Sequence, residues 1–180
     1  MRLRQLQGES TDGLTLRWRA FPLRPVADPS ATFKGTYREE AWRRCQELAR
    51  DTGVTFRPWE RPDFPAASMP ALEAAKCVAL QGDAPFEALH LRLYRAFFEE
   101  GVNIGVPEEV AGVVRTVPGV DMTRFLADYE SGQGRQPVLD DYEAAVNEHG
   151  VRAIPTVVLP SGRRIVGAVS LSEYRRALTA

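Results

Sequence analysis

Cys45, Cys77, His90 and His149 are the nucleophilic and titrating side chains through which this 180-residue sequence could act. Neighbouring thiols exchange disulfides, and clustered thiols and imidazoles bind zinc. The two cysteines form no CxxC and have no metal-ligand spacing, so neither chemistry is expected from them. Cys45 lies between Trp42 and Leu48 on the apolar face of an expected helix and reads as a small core residue. Cys77 follows Lys76 in an alanine-rich helix. Lys76 would lower the thiol pKa if both faced solvent, but a packed thiol is the better reading. No Cys45–Cys77 disulfide is expected. His90, with Phe86 and Leu93 or Tyr94, reads as a hydrogen-bonded structural histidine. His149 closes a helix, where a cationic ring suits the dipole. Phe86, Tyr94, Phe97 and Phe98 recur at helical spacing and read as core.

The stretch "VRAIPTVV", residues 151–158, poses a different problem. Ile154, Thr156, Val157, Val158 and Leu159 have the β-branched richness of a buried strand. Pro155 interrupts them and removes a ladder donor. Such a proline needs a reason.

The elements around these residues follow from pattern. Residues 14–20, "LTLRWRA", alternate: Leu14, Leu16, Trp18 and Ala20 point one way, Thr15, Arg17 and Arg19 the other, as in a strand with one buried face. Helices are expected over residues 37–52, with Trp42, Cys45, Leu48 and Ala49 inward, and over 71–81. A third, over 85–100, is apolar nearly all round and reads as buried. Shorter helices are expected over 107–114, 121–129 and 137–149. Pro58, Pro62, Pro65 and Pro70 make the stretch between the first two a loop, and "ESGQGRQ" a flexible return. After the Pro155 strand come a "PSGR" turn, a second strand "RRIVGAV", and a last helix opened by the Ser170–Glu173 capping box.

Composition bounds the rest. With 44% hydrophobic and 26% charged residues the sequence is that of a globular protein. A net charge of −1 gives no electrostatic case for nucleic acid. Nearly all of the 23 basic residues are arginine, the exceptions being Lys34 and Lys76. No apolar run is long enough to span a membrane. The start lacks a secretory apolar segment, so a cytoplasmic location is expected.

A helix feeding "GVRAIPTVV", a hairpin, "GAV" and a C-terminal helix resemble the second half of a thioredoxin fold, with Pro155 at its cis-proline position. "LRWRAFPLRP", "PALEAAKCVALQG" and "LYRAFFEEGVNIG" resemble the DsbA-like oxidoreductases of the FrnE type. The resemblance implies an α/β fold, thioredoxin-like, with an inserted all-helical domain over 36–133 and a discontinuous thioredoxin-like domain over 1–35 and 134–180. It implies thiol–disulfide exchange with protein or small-molecule thiols, needing no dissociable cofactor, with glutathione as a candidate exchange partner. In that fold the cis bond leaves the backbone of the preceding residue free for an added strand. The implied substrate-binding residues are therefore Ile154 and Pro155, with Arg152 at the rim.

The sequence departs from the family in one respect. "MRLRQLQ" looks like the tail of the first helix, so the first strand and the redox CxxC that precede it in the family are not expected in this chain. Burial of about four apolar side chains on that strand would contribute about 1.5–3 kcal/mol each. That is comparable to the roughly 5–15 kcal/mol that holds a domain folded. An exposed sheet gap would favour a homodimer. Two alternatives remain. Kappa-type glutathione transferases and 2-hydroxychromene-2-carboxylate isomerases share the insertion and use a serine for the first cysteine, although Ser10 stands in the wrong place for it. The other alternative is a redox-inactive binding module.

Overall fold

The computed structural model describes residues 1–10, 13–50 and 52–179. Its elements are α1 (Arg2–Glu9), α2 (Tyr37–Leu48), α3 (Met69–Ala79), α4 (Asp83–Phe98), α5 (Pro107–Arg115), α6 (Met122–Glu130) and α7 (Arg135–Glu143). The π-helical turn Ala144–Glu148, β1 (Thr156–Val158), β2 (Arg164–Val166) and α8 (Leu171–Thr179) complete the order.

Helix α3 is the hub. It packs against α4, α5, α6 and α7, and its inward residues are Ala71, Ala74, Cys77 and Val78. Small side chains let four neighbours approach one helix closely. Around them Leu89, Leu93, Val110, Val114 and Phe125 form the principal core. Gly134, at the start of α7, faces the Glu73 carbonyl so closely that a Cβ would not fit. Asp63 and Glu109 share the Arg61 guanidinium, and Asn103 Nδ2 donates to Asp63 at 2.7 Å. Arg61 first, with Asn103 beside it, holds both carboxyls below the usual range. Their contribution is therefore present above the unfolded carboxylate pKa and fades as pH falls through the lower folded values.

Several expectations are corrected. Residues 14–20 are not a strand: the Leu14 N–H goes to Ser10 Oγ at 3.2 Å and the Ala20 N–H to Asp141 Oδ2 at 2.7 Å. The alternation of burial survives without a ladder, with Leu14, Leu16, Trp18 and Ala20 inward. Helix α2 ends at Leu48, before its expected end, and Asp51 lies outside the described residues. Cys45 and Leu48 on it are exposed, because only Trp42 and Ala49 of that face meet partners. Helix α4 buries only Leu89, Leu93 and Ala96, and Tyr94 is 54% exposed. Its aromatic residues instead line a seam with loop residues, Phe97 packing against Phe33, Trp59 and Phe64. The return at 131–134 leads directly into α7, which turns π-helical where a regular helix to His149 is expected.

Asp141 of α7 has 5% side-chain exposure. Its Oδ2 accepts from Lys76 Nζ of α3 at 2.5 Å and from Ala20 N, and its Oδ1 from Arg19 Nη1 at 2.9 Å. Truncating a buried ion partner strands the others, at a cost of about 3–5 kcal/mol. Asp141→Ala is expected to lose about that much stability in urea denaturation. Arg19→Ala, removing a largely exposed partner, should cost less than about 1 kcal/mol.

Candidate functional site

The loop 150–155 is fixed from both ends. Val151 N donates to Ala145 O at 2.8 Å and closes the π-helical turn. Arg164 Nη1, from β2, donates to His149 O at 2.9 Å and Gly150 O at 2.7 Å. The cation at this helix terminus is therefore Arg164, where His149 is expected. Gly150 adopts φ +57°, and a Cβ on it would meet Arg164 Nη1 at 2.6 Å. The left-handed backbone favours glycine there, and a larger side chain would also push the Arg164 guanidinium off its carbonyls.

Past this anchor, Ala153 O accepts from Thr156 Oγ1 at 2.6 Å and Pro155 O from Gly167 N at 2.8 Å. The peptide bond Ile154–Pro155 is cis. The N–H and C=O of Ile154 have no hydrogen-bond partner among the described residues. Ile154 is 44% exposed, and Arg152 and Pro155 are exposed beside it. Among the described residues strand β1 pairs only with β2, antiparallel, in the register Thr156↔Val166, Val157↔Ile165 and Val158↔Arg164. The three residues thus share one solvent-facing loop with an open backbone donor and acceptor, the chemistry that an extended chain can pair with. A shallow cavity of about 410 Å³ elsewhere, lined by Pro25, Met69, Glu73 and Tyr129, takes none of its wall from this loop.

The thiols do not join this site. Both are free. Cys77 is fully buried, and burial pushes its pKa up to about 11. Lys76 cannot offset this, because its ammonium is held by Asp141. The Cys45 thiol is also raised by partial burial. Ser10 Oγ is occupied as acceptor for the Leu14 N–H.

His90 belongs to a cluster the sequence does not announce. Arg4 of α1 pairs with Glu87 through Nη1 and donates from Nη2 to His90 Nδ1 at 3.0 Å. Since a guanidinium only donates, Nδ1 accepts and the imidazole proton sits on Nε2. Trp18 Nε1 donates to Glu87 Oε1 at 2.9 Å, and its ring meets His90 edge-on at 4.7 Å. Phe86 and Tyr94 pack on the same imidazole. Burial, then the Arg4 charge, lowers the His90 pKa to about 4. The expected structural histidine is thus a neutral acceptor clamping α1 and the Trp18 segment to α4. Only the paired approach of three distant segments reveals Arg4 and Glu87 as its partners.

Two measurements check this electrostatic picture. Thiol titration of the native protein should label Cys45 alone, with Cys77 reacting only after denaturant is added. For His90, the unfolded imidazole protonates below about pH 6.5 while the folded one resists until about 4. Stability therefore falls as pH drops through that window, on the order of 2 kcal/mol between pH 7 and 5. His90→Gln keeps an acceptor for Arg4 and should flatten the decline in unfolding free energy across that window.

The family model of the DSBA-like thioredoxin domain matches residues 1–179. No curated protein matches the chain. The fold accords with a thioredoxin-like α/β domain carrying many helices: a small two-stranded sheet and helices gathered around α3. No described helix is long and apolar enough to cross a membrane. The chain belongs to the DsbA-like thioredoxin-domain family, which is of the thiol–disulfide oxidoreductase type.

Proposed function

We propose that this chain binds the substrate polypeptide or small thiol of a thiol–disulfide exchange reaction at Ile154 and Pro155, with Arg152 at the rim. The single observation that carries the reading is the unpaired N–H and C=O of Ile154, an exposed apolar residue. An extended substrate gains two backbone hydrogen bonds there without displacing any made within the fold. Ile154 and Pro155 supply apolar contact, and Arg152 supplies a charge to an acidic flank.

Exchange requires a thiolate that attacks a substrate sulfur and expels the other sulfur as the leaving thiolate. Cys77 is buried and Cys45 has no nearby cation lowering its pKa, so neither is suited to that role. The chain's own part is substrate docking.

Two assays test the reading. In insulin reduction by dithiothreitol the chain should run at background, and a faster rate abolished by Cys45→Ser would overturn the assignment of docking alone. In fluorescence anisotropy with a labelled, reduced and carboxymethylated unfolded polypeptide, Ile154→Asp should weaken binding about tenfold, or about 1.4 kcal/mol. Its melting temperature should stay unchanged, because the side chain is exposed. Undiminished binding by that folded variant would sink the site.

A further inference from the structure

Arg24 and Arg38 come together on a surface remote in sequence from the docking loop. The Cζ atoms of Arg24 and Arg38 lie 5.4 and 5.5 Å from the centroid of the same ring, that of buried Phe64. Each side chain is tied to the backbone and to no acid. Arg24 Nη1 donates to Pro65 O at 2.8 Å, and Arg38 Nη1 to Thr32 O at 2.9 Å. Neither makes an ion pair among the described residues, and Arg38 Nε is buried without an acceptor.

Among the described residues no surrounding acid pairs directly with either arginine, although the Asp28 charge is felt at both. Asp28 is close enough for its charge to be felt at Arg24, but its Oδ1 accepts from Ser30 N and Ser30 Oγ. Glu39 Oε2 turns to Gly35 N, and Glu40 pairs with Arg43 and Arg44. Two half-buried cations thus share one apolar ring, and one nearby carboxylate leaves the group net positive. Burial and the Arg38 charge both lower the Arg24 pKa, an independent sign of the same repulsion. Arg38 also stands in the first turn of α2, at the positive end of its dipole.

We propose that Arg24 and Arg38 form a binding site for a phosphate-type oxyanion. A carboxylate brings a single negative charge and two oxygens in one plane, which leaves one of the two cations uncompensated. A tetrahedral dianion presents oxygens in several directions and can neutralise both cations at once. Each guanidinium is already anchored by one Nη, so little side-chain freedom remains to be lost on binding. The anion arrives either as free phosphate or on an ester. Tyr37, exposed and lying under the Arg38 guanidinium, offers a ring to an aromatic ester.

The test is calorimetric titration of the full chain with inorganic phosphate and with phenyl phosphate, at low and constant ionic strength, with chloride as control. Saturable binding is expected, weakened about tenfold in either Arg24→Gln or Arg38→Gln. Asp28→Asn keeps the Ser30 contacts while removing the competing charge, and should tighten binding severalfold. Tighter binding of phenyl phosphate supports an ester-borne ligand, and equal binding supports the free ion. A matching response to chloride, or unchanged affinity in Arg24→Gln and Arg38→Gln, would overturn the proposal. If those variants do not fold, Asp28→Asn decides it: no gain in affinity would overturn it equally.

Discussion

The Asp141 carboxylate gathers three separate pieces of chain at one buried point: the end of the 14–20 segment, the central helix α3 and its own helix α7. An ionised carboxylate out of water is unfavourable unless its lone pairs are filled. Here an ammonium, a backbone N–H and a guanidinium fill them. The pairing need not add much net stability over an apolar substitute, since desolvation offsets most of the attraction. Its effect is on geometry. Any alternative packing of these segments leaves an uncompensated ion, so the segments are held in one arrangement.

The same logic recurs at two other joints. The Arg4–Glu87–His90–Trp18 cluster ties α1 and the 14–20 segment to α4 with charge-assisted hydrogen bonds. The Arg61–Asp63–Glu109 group, completed by Asn103, fixes the proline-rich loop to the start of α5. Between these joints, apolar packing does the rest. The principal core is built on small residues of α3, and a smaller aromatic cluster of Phe33, Trp59 and Phe64 closes over the end of α4. Polar contacts decide where elements meet, and burial of the apolar faces supplies most of the driving force.

For function, the consequence is a rigid base under an open loop. Arg164 clamps the carbonyls at the end of the π-helical turn, Gly167 holds the Pro155 carbonyl, and Thr156 holds that of Ala153. The carbonyls on either side of Ile154 are secured while its own N–H and C=O make no hydrogen bond among the described residues. The proposed docking edge is thereby preorganised, so pairing with an extended chain would demand little ordering of the protein. The thiols, by contrast, sit where packing raises their pKa values.

Local pattern in the sequence determined much of this protein. Helical periodicity marked the helices from α2 to α8 to within a few residues, and Ser170 and Glu173 form both hydrogen bonds of the capping box their spacing announces. The motif around Pro155, with the flanking helix and hairpin, carried the family resemblance. These features depend on residues close together in the chain, so the sequence displays them. Tertiary structure alone decided the rest. Residues 14–20 have strand periodicity, but a strand needs a partner, and their Ala20 N–H finds a carboxylate 121 positions away. Cys45 lies on a helical face of core-like composition, yet the fold only partly covers it and the residue is exposed. Asp141 reads as one more acid on an amphipathic helix until Lys76 and Ala20 arrive to bury it. Periodicity shows which side of an element is apolar; only the assembled chain determines what that side meets.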